Sequence, residues 1–232
     1  MEIVDACYHG LMRQNPDGTM LDTFIMSKGH GYMAQAVVLV ELGIMPEVEL
    51  DNYCKPEGRL GAHPDFGVPG IEAATGSLGH GLGIGVGMAA ADNILGVDRS
   101  VYVIIGDGEA QEGSVWEAFM MAPNLELANL VVFLDFNDYQ GLGRTTETHP
   151  HFLPMDEKLA SFGWEVADLD GHDPGLIVDT VRNRSGSKPM FIVCRTVKGQ
   201  GVSYMQDDPI WHYRSPNPDE YRQAIAELEG GA

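Results

Sequence analysis

The segment GDGEAQEG, residues 106–113, sets carboxylates, Asp107 and Glu109 among them, into a glycine-rich turn between an apolar run, VYVII, and a helix-like run, SVWEAFMM. Turns of this kind cradle phosphates, and the familiar nucleotide loops carry a lysine there. An acidic turn needs an intermediary, and a bound cation supplies one by inverting the local charge. Asn137 follows the next apolar run, NLVVFLDF, and stands 137 − 108 = 29 positions after Gly108. A carboxylate, an amide oxygen and a backbone carbonyl suit a hard octahedral cation such as Mg²⁺, which also takes water and phosphate oxygens. Gly106 and Gly108 let the backbone come close, and the start of the following helix adds N–H donors. GDG by itself is equally well explained as a tight strand-to-helix turn.

For Asp107 and Asn137 to meet, their runs must be neighbouring strands. VYVII (101–105), NLVVFLDF (129–136), WEVADLD (164–170) and MFIVC (190–194) are nearly continuous apolar runs, as strands buried on both faces require. Helical spacing of apolar residues is found over 2–14, 31–44, 109–122, 155–162 and 173–184, with a short helix at EVELDNYC. The stretch GSLGHGLGIGVGMAAADNIL (76–95) carries glycines within a helix-compatible apolar run, which predicts a helix that another backbone approaches closely. Alternation of this kind predicts an α/β fold, a doubly wound, mainly parallel sheet flanked by helices, with ligands outside the carboxyl ends of the strands. The loop 195–216 and the GGA tail are the least structured parts expected.

At 232 residues the chain has room for one sizeable core, so one domain over 1–232 is expected. With 14 basic and 34 acidic residues the net charge is −20, and no stretch gathers Lys or Arg into a stripe for nucleic acid. An anionic ligand is therefore expected to be held by a metal ion, backbone N–H groups or histidines. No apolar run approaches the roughly 20 residues of a membrane span, and MEIVDACYHG lacks the order of a signal peptide. A soluble, cytoplasmic protein is the expectation. Cys7, Cys54 and Cys194 are far apart and read as reduced thiols. Trp116, Phe119 and Met120 read as core residues, and His149, His151 and His172 as surface or structural ones.

The GDG to Asn137 spacing is that of the thiamine diphosphate motif, and GDGEAQEGSVWEA followed by LDFNDYQ resembles the transketolase family, most closely the N-terminal half of split, two-chain transketolases. FIMSKGHG (24–31), GAHPD (61–65), ATGSLGHGLGIGVGMA (74–89), DGHD (170–173), RTVKGQGVSYM (195–205) and WHYRSPNPDEY (211–221) follow the family's order and spacing. The resemblance implies that Asp107, Asn137 and the backbone carbonyl of Tyr139 bind Mg²⁺, which holds the diphosphate of the cofactor. It makes His30, His63 and His212 candidates for proton transfer and hydroxyl recognition, and His30 and His212 cofactor contacts as well. Gly76, Leu78, His80, Gly106, Gly108 and Glu109 complete the implied cofactor-binding set. His80 stands where the family usually has Gln. Glu112 is implied at a subunit interface beside the glutamate that activates the cofactor, and Glu117 similarly.

That activating glutamate and the pyrimidine pocket belong, in the family, to a second domain that residues 1–232 do not contain. The resemblance therefore implies a C-terminal, pyrimidine-binding partner chain, an α2β2 heterotetramer, and transfer of a two-carbon ketol unit from a ketose, a sugar or sugar phosphate, to an aldehyde. The sequence departs from the family in lacking a GHPG motif, in NDYQ for an N-G-L-Q type segment and in WHYR for W-H-G-K, all at the substrate end. Two alternatives stay open: the α chain of a 2-oxoacid dehydrogenase, against which SKGH and GAHPD argue, and a non-catalytic regulatory homologue.

Overall fold

The computed structural model describes residues 1–141 and 143–230; the last two residues of the GGA tail lie outside the described residues. The chain begins with α1 (Glu2–Asp5), continued by a π-helical turn at Ala6–Leu11, and then forms β1 (Thr23–Met26), α2 (Met33–Glu41), α3 (Val48–Asp51) and α4 (Gly81–Leu95). Next come β2 (Val101–Gly106), α5 (Gly113–Asn124), β3 (Leu130–Phe136), the short pair β4 (Tyr139–Gln140) and β5 (Gly143–Arg144), and α6 (Thr145–Thr148). The rest is α7 (Met155–Phe162), β6 (Glu165–Asp170), α8 (Pro174–Arg182), β7 (Met190–Arg195) and α9 (Pro218–Gly230).

Five strands pair in the order β1-β2-β3-β7-β6, and every neighbouring pair is parallel. Their side chains divide by the period of two that a pleated strand imposes. Tyr102, Ile104, Val131, Phe133 and Ile192 enter one core with α1, α2 and α8. Val101, Val103, Ile105, Val132, Leu134 and Phe191 enter the other with α4, α5 and α7. Both faces are thus covered by helices, which is the doubly wound arrangement. Gly106 is in register with Asp135, so the residues just past β2 and β3 emerge side by side at one edge of the sheet.

The glycine-rich segment becomes helical only from Gly81. A Cβ on Gly81 would stand 2.7 Å from the Ser27 Cα, and one on Gly85 2.6 Å from a Val103 methyl. Backbone is thus approached at Gly81 but a side chain at Gly85, while Gly83 and Gly87 face no described atom within 4 Å.

Several expected boundaries move. The helix expected over 2–14 ends at Leu11, because Met12 turns extended. The helix expected over 109–122 is broken at Glu112, whose extended backbone (φ −69°, ψ 137°) precedes α5. β1 and α9 were not expected: TFIM is too short for a periodic signal, and Ala224 is the buried residue of α9. Of the three aromatic-face residues, Phe119 is fully buried but Met120 is 48% exposed and no core residue. Among the described residues no helix is long and apolar enough to cross a membrane.

Candidate active site at the carboxyl edge of the sheet

The loops that leave β1, β2, β3 and β7 surround one cavity of about 450 Å³. Asp107 stands on its floor. One carboxylate oxygen accepts the Gly108 N–H at 2.9 Å and the other the Thr145 hydroxyl at 3.0 Å. Burial pushes its pKa up to about 6, against the pull of those two donors. Each oxygen keeps a lone pair. The neighbouring Lys28 is engaged elsewhere, in an ion pair with Asp135. Burial alone would raise Asp135, but Lys28 and the Thr196 hydroxyl hold it below the usual carboxylate range.

Asn137 lines the same cavity, and its amide oxygen accepts the Tyr139 N–H at 3.0 Å, an Asx turn made possible by the left-handed Asp138 (φ 63°). Tyr139 also lines it. Among the described residues no three His, Cys, Asp or Glu side chains gather as a metal centre. A cation at Asp107 would have one carboxylate, neutral oxygens and a ligand's own phosphate oxygens, which is the donor set Mg²⁺ favours. The buried Asp107 carboxylate, paired with no cationic side chain among the described residues, is the feature that fits such a cation.

Glu109 is nearly as deeply buried, yet its contacts are internal: it accepts the Ser27 hydroxyl at 2.5 Å, the Gly79 N–H at 2.9 Å and the Gly106 N–H at 3.4 Å. It latches the end of β1 and the 76–80 turn to the acidic turn, and burial raises its pKa. Its role in the cavity wall is therefore to fix the loops.

His30 and His212 face each other across the mouth, ring centroids 5.8 Å apart. Desolvation by the walls, then Lys28, His212, His63 and Lys198, push His30 down to about 4, although solvent still reaches its ring. Burial, Lys198 and Lys28 lower His212 as well. Both imidazoles are thus neutral near pH 7 and able to accept a proton.

Leu78, Gly106, Gly108 and Glu112 line the cavity too, Glu112 at its exposed rim. His63, Gly76 and His80 do not. His63 is exposed and packs on Gly76, where a Cβ would stand 2.8 Å from its ring. His80 precedes α4 in a groove between α4 and α5, together with Glu117, Met120 and Met121. Lys28 and Lys198 were not singled out from the sequence, although SKGHG and RTVKGQG contain them. Both line the cavity, so an anion entering it would meet lysines as well as histidines and N–H groups. Burial and Lys28 lower the Lys198 pKa.

Residues 1–225 match the family described as the thiamine diphosphate binding domain of transketolase. The chain is 38% identical over 233 residues to one subunit of the apulose-4-phosphate transketolase of Phocaeicola vulgatus, covering 98% of this chain and 83% of that protein. It is 37% identical over 234 residues to the 6-deoxy-6-sulfo-D-fructose transketolase subunit SqwG of a Clostridium species, covering 98% and 85%. The transketolase of Campylobacter jejuni superposes with a TM-score of 0.79 at 25% identity, over 97% of this chain and 37% of that one. A Pichia stipitis transketolase variant complexed with fructose 6-phosphate gives 0.76 at 26% identity, over 99% and 40%. The chain thus spans about two fifths of the solved transketolases it matches.

Proposed function

This chain belongs to the transketolase family, and from that premise we propose that it is the N-terminal subunit of a two-chain transketolase. It would move a two-carbon ketol unit from a ketose, a sugar or sugar phosphate, to an aldehyde, using thiamine diphosphate and Mg²⁺. The observation that carries this reading is the cavity lined together by the buried Asp107, by Asn137, by two neutral histidines and by two lysines. Relatives of which this chain covers 83–85% are named as subunits of transketolases, which supports a partner chain. We take that partner to be the pyrimidine-binding subunit, in an α2β2 assembly with the site between chains and Glu112 at its rim.

Asp107, Asn137 and the Tyr139 carbonyl would hold the metal, and Lys28, Lys198 and the N–H groups of the acidic turn would face the diphosphate. Bound there, thiamine diphosphate supplies a carbon nucleophile and an electron sink for breaking the bond beside a ketose carbonyl. The donor's C3 hydroxyl must lose its proton as that carbon becomes an aldehyde. His30 or His212, each neutral and at the mouth of the cavity, takes it, and returns one to the acceptor's oxygen after the new bond forms. His63, outside the cavity lining and packed on Gly76, takes no part in this step.

Reconstitution tests the reading. The chain mixed with a pyrimidine-binding subunit, Mg²⁺ and thiamine diphosphate should cleave a ketose, and neither chain should do so alone. Cleavage by this chain without a partner would refute the divided site. Release of CO₂ from a 2-oxoacid in place of ketose cleavage would refute the reaction.

A further inference from the structure

We propose that the hydroxyls of Tyr139 and Tyr213 form a two-way clasp between the loop that follows β3 and the loop that precedes α9, and that this clasp holds the His212 ring over the cavity. Tyr139 donates its hydroxyl to the Asp207 carbonyl at 2.6 Å, and Tyr213 donates its own to the Gly141 carbonyl at 2.8 Å. One tyrosine comes from each loop and reaches for the backbone of the other. Among the described residues these are the hydrogen bonds that join segment 205–214 to segment 137–144. Other bonds of the later loop run elsewhere, among them Trp211 Nε1–H to the Tyr204 carbonyl at 2.9 Å, the Ile210 N–H to Asp208 at 3.0 Å, and the Asp207 N–H to the Lys198 carbonyl at 3.1 Å.

Each half of the clasp is itself braced. The Tyr139 ring is buried, with the Arg144 guanidinium 4.5 Å from its centroid, and Arg144 pairs with Asp138 at 3.3 Å. Asp207, which presents the accepting carbonyl, is left-handed (φ 54°), a conformation that a non-glycine residue keeps only where its surroundings hold it. At the other end, a Cβ on residue 141 would stand 2.5 Å from the Tyr213 hydroxyl, so a side chain there would displace that hydroxyl.

Tyr213 is 75% exposed. Burial therefore does not fix its ring; the Gly141 bond does. Its ring lies edge-on against His212, centroids 4.8 Å apart, while His30 lies 5.8 Å away on the other contact. The His212 ring thus contacts both the clasped ring and its partner histidine. Tyr139 and Tyr213 are positioning residues, and their effect on turnover rests on the reading of His212 given above.

Hydrogen–deuterium exchange on the chain alone tests the clasp without partner or cofactor. Y139F and Y213F remove one hydroxyl each and keep both rings. Each should speed exchange over residues 205–214 about fivefold, the effect of one net hydrogen bond, and the double variant should exceed either, with β3 unchanged. G141A should behave like Y213F, since it displaces the hydroxyl while leaving both tyrosines. Nuclear Overhauser contacts between the His212 and Tyr213 rings should be present in the wild type and lost in the double variant. In the assembled enzyme Y213F should lower kcat about tenfold, a part of the proton-transfer contribution, with a donor KM shift below about twofold. Unchanged exchange in the double variant would overturn the clasp, and a loosened segment with retained ring contacts would overturn the positioning of His212. Should the wild-type assembly cleave no ketose, the function reading fails while the exchange and ring contacts still decide this one.

Discussion

Asp107 is held as a carboxylate where a carboxylate is costly. Its pKa stands near 6 in the folded chain against a reference of 3.8, so the folded state binds the proton more tightly than the unfolded one. The contribution is then neutral below about pH 4, turns unfavourable as pH rises from there to 6, and levels off above that at about 3 kcal/mol in the metal-free chain. A neutral isostere avoids that cost. We expect Asp107→Asn, without metal at pH 8, to be more stable than the wild type by about 1–3 kcal/mol, because the Thr145 hydroxyl can turn to accept from the new amide. The same variant should lose Mg²⁺-dependent binding of thiamine diphosphate. Urea unfolding at pH 5 and pH 8, with calorimetric titration of the cofactor, checks both. A variant less stable at pH 8 would show that the buried carboxylate carries no such cost, and one that binds as the wild type does would show that Asp107 does not serve as the metal's seat.

What made Asp107 and Asn137 legible in the sequence was position: each follows an apolar run long enough to be a buried strand, and neighbouring strands end at the same edge. Lys28 and Lys198 lacked that signal. They lie in loops after β1 and β7, β1 is too short to read, and an overall charge of −20 hides a local pair of cations. His80 lies outside the cavity for the complementary reason. A histidine between two glycines gives no sign of which way its side chain leaves the turn, and here it leaves toward the α4–α5 groove.

At the scale of elements, α4 separates two meanings of glycine that look the same in its sequence. Gly85 faces the sheet, with Val103, Val101 and Ile25 around the place of its missing Cβ, whereas Gly87 meets no described atom within 4 Å. Gly87→Ala should therefore stabilise the chain by about 0.5–1 kcal/mol through backbone entropy alone. Gly85→Ala gains the same term but drives a methyl into a packed core, and overpacking of this kind costs about 1–3 kcal/mol. The two substitutions should move the urea midpoint in opposite directions with unchanged slope. Equal shifts would mean that α4 can lift from β2 without penalty. The strands of the sheet centre were legible because burial on both faces leaves an unbroken apolar run. The break at Glu112 was not, since the residues on either side are compatible with one continuous helix and only the buried Glu109 latch pulls the first turn aside.

For the whole molecule the dominating quantity is the excess of 20 negative charges. The exposed ion pairs, such as Arg195 with Asp168 and Arg222 with Asp219, each contribute about 0–1 kcal/mol and weaken with salt. The pair of the buried Asp22 with Arg13 is bidentate, at 2.7 and 3.1 Å, and is screened less. Repulsion among the unpaired carboxylates acts over longer distances and is relieved once the screening length falls below about 10 Å, near 0.1 M salt. The melting temperature of the chain alone should accordingly rise as sodium chloride increases from about 0.02 to 0.3 M. Chloride is the salt to use, since sulfate both strengthens apolar burial and offers the cavity lysines a phosphate-like anion. A melting temperature that falls over this range would mean that paired charges, and not the surplus, control the fold. It would also undercut the argument that an anionic ligand needs a cation at Asp107 to enter so acidic a molecule, because the repulsion that cation offsets would then be too weak to matter.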